Sequence, residues 1–350
     1  MDQGFRATGK GDGAGDEAAW AFSRLSSWWR SAARDFPWRF GRTSPWGVLL
    51  SEVMSQQTPM SRVLPYWRQW MGLWPTPQDL AQASTGDLIA AWGRLGYPRR
   101  ALRLKECAQV VSQEFGGRLP DDYQSLVALP GIGDYTASAI LSFAYGERVV
   151  VLDTNIRRVL VRAFTGQESR GGSTTKGERD LAQSLLPADR AQSVRWNQAV
   201  MELGALICTA SQPACDRCPL KEKCLFLAVG RPGLGSTRTR PKQSFVGTNR
   251  QVRGIIIDAL RRAPDHRLGP DQVRSLWKDQ GQLDECVIGL DQDGLIVIGQ
   301  DQSLSLPVWA SFVRFFICRS RRRGHFLFGR LDWSHGSVER QTLFVRLRFG

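Results

Sequence analysis

Four cysteines near the middle of the chain have the spacing of a metal or cluster site. The segment ICTASQPACDRCPLKEKC places Cys208, Cys215, Cys218 and Cys224 in the pattern C-x6-C-x2-C-x5-C. Four thiolates this close together can bind one tetrahedral metal ion or one [4Fe–4S] cluster. Zinc sites usually pair two CxxC units, whereas this loop has one such unit with wider gaps on either side. The spacing therefore favours the cluster over zinc.

Two carboxylates occupy positions where a fold would perturb them. In VLLSEVMSQQT, Glu52 follows Val48 by four residues and Leu49 by three, which places it on the apolar side of a helix. A carboxyl group buried there loses hydration, and its pKa rises toward that of a general acid. Asp153 follows an apolar run and opens a helix, where capped amides keep a carboxylate ionised. Such a pair can break a glycosidic bond, although a salt-bridged glutamate and a plain helix cap are alternatives.

A glycine-containing turn joins two predicted helices in LPGIGDYTASAI. Gly131 and Gly133 allow the backbone to turn with positive φ and to approach a partner closely. The second helix begins at Asp134 or Tyr135, so its free amides can hold a phosphate. No strand precedes the turn and no GK[ST] follows it, which argues against a nucleotide-binding loop. An ordinary helix–helix turn is the alternative.

The net charge is that of a polyanion-binding protein. The chain has 47 Lys and Arg against 33 Asp and Glu, a formal charge of +14. Residues 308–350 hold nine arginines against two acidic residues, so a basic tail on a neutral enzyme is the alternative. All three histidines follow residue 265, which excludes a histidine-based triad or zinc site before that point. Acid–base chemistry there must use carboxylates, Tyr, Lys or water.

The sequence shows neither a membrane-spanning segment nor a signal peptide. No apolar run is long enough to span a bilayer, and the N-terminus lacks the apolar region of a signal peptide. Seven cysteines without a secretion signal indicate a reducing compartment. We therefore expect a cytoplasmic, nucleoid-associated protein that does not contact membranes, with residues 1–16 as a disordered leader.

Helical patterns dominate the chain as far as residue 225. Pro45 and the pair Thr76-Pro77 mark helix starts. The domain organisation predicted from these patterns is an all-α domain over 17–225 with the helix–hairpin–helix at 123–145 and the cysteine loop at 208–224, a linker at 226–249, a winged-helix-like unit of three helices and a hairpin at 250–307, and a basic segment of unassigned fold at 308–350.

Four of these motifs together resemble one family. The segments SEVMSQQT, LPGIGDYTA, LDTNIRRVL and the cysteine loop follow the order of the endonuclease III-like helix–hairpin–helix DNA glycosylases. SEVMSQQT is similar to SEVMLQQT of the MutY-type adenine glycosylases, with Ser55 in place of Leu. The resemblance covers about residues 20–250. It implies a mainly α glycosylase with a [4Fe–4S] cluster, acting in base-excision repair on adenine opposite 8-oxoguanine or guanine in double-stranded DNA.

The resemblance also assigns catalytic roles. Glu52 protonates the adenine ring and later helps to activate water, and Asp153 stabilises the sugar cation. Asn155 positions the water or Asp153, although Thr154 stands where the family has Gly. Bifunctional relatives have a Lys at the position of Tyr135, which cannot form an imine. We therefore expect hydrolysis without strand cleavage, with Tyr135 assisting Asp153.

Contacts with DNA follow from the same resemblance. Gln57 is the wedge that enters the base stack when adenine is flipped, and Thr58 contacts the opposite base. The remaining assignments are Trp38 and Arg39 in FPWRF at the adenine pocket, Arg99 and Arg100 in LGYPRRA near phosphate, Gly131 and Gly133 in the hairpin, and Arg217, Lys221 and Lys223 on the cysteine loop.

Two other functions are open on the sequence. An endonuclease III-like pyrimidine glycosylase is disfavoured by Tyr135 and by SEVMSQQT. A non-catalytic Fe–S DNA-binding protein is disfavoured because Glu52 and Asp153 are both present. Many family members carry a Nudix-like C-terminal domain that reads 8-oxoguanine, and the space before residue 307 is too short for it. We expect a monomer that removes adenine, with discrimination of 8-oxoguanine left open.

Overall fold

The computed structural model describes residues 13–169, 171–234 and 245–307. Within 13–234, helices are joined by short connections, and the described residues there form no strand. The helices are α1 Gly13–Ala32, α2 Pro45–Ser55, α3 Met60–Leu73, α4 Pro77–Gln82, α5 Thr85–Trp92, α6 Arg99–Glu114, α7 Tyr123–Ala128, α8 Asp134–Phe143, α9 Thr154–Thr165, α10 Lys176–Leu185, α11 Arg190–Leu206 and α12 Leu225–Ala228. None of the helices in the described part of the chain is both long and apolar enough to cross a membrane.

Helix starts follow local signals in the sequence. Ser44 caps α2, and Pro45 occupies its first turn. Thr76 and Asp79 form a reciprocal capping box at the start of α4. Asp153 caps α9. The starts predicted at Pro45, Thr76-Pro77 and Asp153 are confirmed.

Two apolar cores organise these helices. One core is built from α2 to α8 and includes Leu49 and Trp70. The other is built mainly from α1, α9, α10 and α11 and includes Leu203. Helix α8 contributes to both, since Ile140 faces the first core and Ala139 the second. The hairpin helix therefore lies along the seam between the two cores.

A small α/β unit follows. It contains α13 Asn249–Arg262, β1 Arg267–Leu268, α14 Pro270–Arg274, α15 Gln280–Gln292, β2 Val297–Ile298 and β3 Leu304–Ser305. The strands form an antiparallel sheet in the order β1-β3-β2. Ser305 of the central strand pairs with Arg267 on one side and Val297 on the other. The sequence predicted three helices and a hairpin, and the structure adds β1 to them.

The C-terminal unit shares its core with the helical domain. Ile89 of α5 is fully buried among the apolar residues of the unit. Gly86 donates a backbone hydrogen bond to the carbonyl of Pro307 over 2.6 Å, and a Cβ at Gly86 would lie 2.9 Å from that oxygen. Arg261 of α13 donates to the carbonyl of Ile89 over 3.0 Å. These contacts fix the unit against α5.

Two predicted boundaries were wrong. Helix α1 begins at Gly13, so residues 13–16 belong to it rather than to a disordered leader, and residues 1–12 lie outside the described residues. The linker was predicted to begin at residue 226, but Phe226 is only 2% exposed and packs in the helical domain as part of α12. Apolar burial outweighs the Gly- and Pro-rich composition that follows it. The basic segment at 308–350 also lies outside the described residues.

Candidate active site

Three helices bring two carboxyl groups and a phenol together at the seam between the cores. Glu52 comes from α2, Tyr135 from the first turn of α8, and Asp153 caps α9. The Tyr135 hydroxyl donates a hydrogen bond of 2.7 Å to Oε2 of Glu52. The charge of Asp153 acts on both Glu52 and Tyr135, which shows that the three groups share one site.

Glu52 is poised to hold a proton near neutral pH. Burial and, less strongly, the charge of Asp153 raise the pKa of Glu52 to about 7, against the opposing hydrogen bond from Tyr135. Arg39 acts in the opposite direction. The residue as a whole is half-buried. A carboxyl group in this state can act first as an acid and then as a base.

Asp153 is held by donors on its own helix. Its Oδ1 accepts a hydrogen bond of 2.6 Å from the backbone amide of Ile156, and its Oδ2 accepts one of 2.7 Å from Nδ2 of Asn155. Burial raises the pKa of Asp153 above its ordinary value, while these bonds and the charge of Arg158 act to lower it. The helix-capping bonds that were predicted to stabilise the ionised form of Asp153 are present. Burial outweighs them, so the pKa of Asp153 is raised.

Tyr135 stays neutral in this setting. Burial raises the pKa of Tyr135 well above its ordinary value, and the negative charges of Glu52 and Asp153 raise it further. The phenol is therefore a hydrogen-bond donor rather than an anion. A cavity of about 290 Å³ opens beside it, lined in part by Ser138 and Arg179.

The predicted base-pocket residues lie on the loop that follows α1. Trp38 is 8% exposed and stacks on Phe36 with ring centroids 4.8 Å apart, so it lies within the first core. The guanidinium of Arg39 lies 5.0 Å from the ring centroid of Trp29 and donates to Glu202 over 2.8 Å. Arg39 also acts electrostatically on Glu52, which places it near that carboxyl.

The buried Glu202 holds this loop in place, and no sequence pattern predicted that role. This side chain of α11 accepts hydrogen bonds from the backbone amide, Nε and Nη2 of Arg34 and from Nη2 of Arg39. Burial alone would raise its pKa, but the bonds from the two arginines outweigh burial and lower the pKa of Glu202 to about 2. A single acidic residue inside the apolar run of α11 was the available signal.

Gln57 and Thr58 lie at the end of α2, held there by Arg100. Gln57 is exposed and has φ +54, a conformation that non-glycine residues adopt rarely. Thr58 is buried and donates a hydrogen bond of 3.1 Å to the carbonyl of Leu95. Arg100 was predicted near phosphate, yet it donates to the carbonyls of Val53, Met54, Gln56, Leu95 and Gly96 and to Oγ1 of Thr58. It therefore ties the end of α2 to the loop before α6, whereas Arg99 is exposed.

The two hairpin glycines differ. Gly131 has φ +79, and a Cβ there would meet Cβ of Arg103 at 3.0 Å. Gly133 has φ −106 and caps α8, so the prediction of positive φ was wrong for it. No heavy atom lies within 4 Å of a Cβ built at Gly133. This open approach to the first amides of α8 leaves room for an anion.

The four cysteines converge on one cavity. Cys208, Cys215, Cys218 and Cys224 line it together with apolar residues such as Phe226. Burial and, less strongly, the neighbouring thiols raise the pKa of Cys218 to about 12. Among the described residues, no three His, Cys, Asp or Glu side chains are grouped closely enough to hold a single metal ion.

Hydrogen bonds connect this loop to Asp153. Arg158 donates from Nε to the carbonyl of Cys208 over 2.7 Å and from Nη2 to Oδ1 of Asn155 over 2.9 Å. Asn155 in turn donates to Asp153. Of the basic residues predicted on the loop, Arg217 is exposed, and Lys223 lies 5.0 Å from the ring centroid of Trp20.

Comparison with known proteins places the fold. Residues 50–186 match the family described as HhH-GPD superfamily base excision DNA repair protein. The solved structure of a thermostable thymine-DNA glycosylase superposes with a TM-score of 0.57 at 27% identity, covering 62% of this chain and all of that one. A trapped endonuclease III–DNA covalent intermediate superposes with a TM-score of 0.52 at 20% identity, covering 60% of this chain and 95% of that one. The predicted helix–hairpin–helix glycosylase fold is confirmed.

Sequence relatives extend over most of the chain. The adenine DNA glycosylase of Mycobacterium tuberculosis strain H37Rv is 42% identical over 286 residues, which cover 81% of this chain and 93% of that protein. The adenine DNA glycosylase of Mycolicibacterium smegmatis is 44% identical over 275 residues, covering 78% and 91%. The human adenine DNA glycosylase is 41% identical over 209 residues, covering 57% of this chain and 38% of that protein.

Proposed function

This chain belongs to the adenine DNA glycosylases of the HhH-GPD superfamily of base excision repair proteins, and we propose that it removes adenine mispaired with 8-oxoguanine or guanine in duplex DNA. The observation that carries the proposal is the pairing of a protonatable Glu52 with Asp153 in one site. The relatives are named for adenine DNA glycosylase activity. The donor and acceptor groups of this site are those that cleavage of an N-glycosidic bond requires.

Glu52 begins the reaction as a general acid. With a pKa of about 7 it carries a proton on a large fraction of molecules at neutral pH. Tyr135 donates to Oε2, so Oε1 can pass its proton to N7 of a flipped adenine. The bond between C1′ and N9 then breaks, and its electron pair leaves with the base. Protonation makes adenine a better leaving group.

Asp153 acts on the sugar. Departure of adenine leaves an oxocarbenium-like cation at C1′, which a neighbouring carboxylate stabilises. Asn155 fixes the Asp153 carboxylate through its hydrogen bond to Oδ2. A water molecule attacks C1′, and Glu52, now ionised, accepts its proton. The acid is restored, and the products are free adenine and an abasic site.

We further propose that the enzyme is monofunctional. A bifunctional glycosylase needs an amine that attacks C1′ and forms an imine. The side chain beside Glu52 is a phenol with a raised pKa, which neither attacks as an amine nor becomes an anion near neutral pH. We therefore expect an intact strand until alkali cleaves the abasic site.

The cysteine loop fits a [4Fe–4S] cluster. The four cysteines line one cavity together with apolar residues. Four thiolates are the donor set of a [4Fe–4S] cluster, which binds one thiolate at each iron. Cys208, Cys215, Cys218 and Cys224 would hold it, and its chemistry here is to brace the loop that carries Arg217. Four irons per chain, with cluster absorbance lost in Cys218→Ser, would support this assignment, and bound zinc would overturn it.

DNA contact is proposed for the hairpin and the end of α2. The open approach over Gly133 suits a phosphate, and Gln57 is exposed beside the site. Exposed Arg217 presents positive charge to the same ligand, whereas Arg99 is paired with Asp293 over 3.4 Å. We propose that Gln57 enters the base stack and that the protein acts as a monomer at the nucleoid.

Base release under single-turnover conditions tests the function. The substrates are duplexes with adenine opposite 8-oxoguanine, adenine opposite guanine, and thymine glycol, given to wild type and to Glu52→Gln. We expect adenine release from the first two, no strand cut before alkali, and loss of release in the variant. Strand cleavage at thymine glycol, or binding without any base release, would refute the proposal.

A further inference from the structure

An arginine of the C-terminal unit stacks on an exposed aromatic residue of the helical domain. The guanidinium of Arg250 lies 5.1 Å from the ring centroid of Tyr97 and 5.9 Å from that of Phe245. Both rings are exposed, Tyr97 by 46% and Phe245 by 55%. Arginine and aromatic faces presented together to solvent are the groups that bind phosphates and stack on bases.

This patch of Tyr97, Phe245 and Arg250 adjoins the end of the catalytic helix. Arg100 lies under Tyr97, 5.6 Å from its ring centroid, and donates to the carbonyl of Gln56 over 2.6 Å. One arginine thus holds Tyr97 beside the end of α2. Between this patch and the hairpin lies a cavity of about 220 Å³, lined by Arg99, Arg103 and Gly131 among others. Arg99 and Arg103 are ion-paired with Asp293 and Glu106, so the cavity lies between the hairpin and the patch with the charges of both arginines balanced.

In the described part of the chain, no ion pair neutralises the charge of Arg250. Two other arginines of α13 are paired, Arg253 with Asp293 and Arg262 with Asp258. No carboxylate in the described part of the chain lies within 4 Å of a nitrogen of Arg250. The side chain is exposed and positive, which suits a polyanion.

The other faces of the unit are less suited to DNA. In helix-turn-helix proteins the helix after the turn enters the major groove. Here the corresponding helix α15 carries Asp284, Glu285 and Asp291 and has no Lys or Arg, so it would repel phosphates. The bond from Arg261 to Ile89 also keeps α13 against α5, which leaves the Arg250 end directed toward Tyr97.

We propose that Arg250 contacts a backbone phosphate of the duplex beside the mispair, and that the C-terminal unit thereby extends the DNA-binding surface. Tyr97 and Phe245 hold the guanidinium plane in place. The contact contributes to DNA affinity and does not take part in bond cleavage. The inference rests on the proposed function only in taking duplex DNA as the ligand.

Salt-dependent binding of the full chain tests the inference. Wild type, Arg250→Gln and Arg250→Lys are titrated with a duplex that carries 2′-fluoro-deoxyadenosine opposite 8-oxoguanine, which binds without base release. Arg262→Gln, on the same helix and with the same loss of charge, is the matched control. For Arg250→Gln we expect Kd to rise about fivefold near physiological salt and the slope of log Kd against log salt to fall by about 1. Arg250→Lys keeps the slope, because the charge remains.

The outcomes separate this inference from the proposed function. If Arg250→Gln behaves like Arg262→Gln, or loses affinity through a lower melting temperature with an unchanged salt slope, the inference is wrong. Binding is measured without turnover. A protein whose DNA affinity depends on Arg250 but which releases no adenine would overturn the proposed function alone.

Discussion

Removal of the Tyr135 hydroxyl changes the pH at which the enzyme loses activity. In Tyr135→Phe, the hydrogen bond of 2.7 Å to Glu52 is lost. That bond stabilises the ionised carboxylate and so opposes the effect of burial, which raises the pKa of Glu52 to about 7. Without the bond, the pKa of Glu52 rises further. Because Glu52 must be protonated to act as the acid, activity persists to higher pH.

The size of the expected pKa shift of Glu52 follows from the strength of its hydrogen bond with Tyr135. A hydrogen bond to a charged acceptor contributes about 1.5 to 3 kcal/mol, and one pKa unit corresponds to about 1.4 kcal/mol. We take the lower end of this range, which gives a shift of about one unit. At about pH 8 the protonated fraction would then rise from about a tenth to about a half. Relative to wild type, the rate of the variant should rise about fivefold between about pH 6 and about pH 8.

The assay is single-turnover adenine release with enzyme in excess, across the pH range, from a duplex with adenine opposite 8-oxoguanine. The maximal rate of Tyr135→Phe should fall as well, because the family resemblance implies that the phenol assists Asp153, so the measured quantity is the position of the basic limb. Tyr145→Phe is the control, since that hydroxyl donates to the carbonyl of Leu119 and not to Glu52. A basic limb in Tyr135→Phe at the same pH as wild type, or at lower pH, would refute the reasoning.

Three further predictions concern stability and the hairpin. The pKa of Glu52 is raised on folding, so its contribution to stability is full below about pH 4.5 and is lost as the pH rises through about 7. Glu52→Gln should therefore gain up to about 3 kcal/mol over wild type between about pH 5 and about pH 8 in denaturant unfolding, and a gain independent of pH would contradict this. Glu202→Gln should lower the free energy of unfolding by about 3 kcal/mol near pH 7, because it breaks a buried pair with two arginines. Exposed Glu222→Gln, the control, should change it by less than about 1 kcal/mol, and equal losses would count against the anchor role of Glu202. Gly131→Ala should lower the melting temperature, because residue 131 has a φ of +79 that alanine adopts poorly. Gly133→Ala should fold normally and weaken DNA binding, because residue 133 has a φ of −106 and open space around it. A lower melting temperature for Gly133→Ala than for Gly131→Ala would rule out this account of the hairpin.

Local signals in the sequence were sufficient for much of the site. The spacing of Glu52 from Val48 and Leu49 places it on the buried side of α2, because helical periodicity depends on neighbours in sequence. Asp153 caps α9 for the same kind of reason. The cysteine spacing predicted a cluster loop, and recognisable motifs identified the family. These features need only a few consecutive residues.

Contacts between distant residues could not be predicted in this way. Glu202 meets Arg34 from 168 residues away, and no local pattern links the two. Arg100 was assigned to phosphate because LGYPRRA resembles a family segment, whereas in the structure it holds the end of α2. Phe226 lies in a stretch with the composition of a linker, yet it is buried in the helical domain. Each outcome depends on which helices pack together.

The sequence by itself determined the helices, their caps, the hairpin, the cysteine set and the types of the catalytic groups. The helices, caps, hairpin and cysteine spacing follow from side-chain chemistry and short-range periodicity, whereas the catalytic groups were implied by the resemblance to the family. Only the tertiary structure decided that Tyr135 donates to Glu52, that Glu52 is buried enough to hold a proton near neutral pH, and that Arg250 stacks on Tyr97. The physical reason is that desolvation and hydrogen-bond distances depend on how the two cores and the C-terminal unit pack against each other.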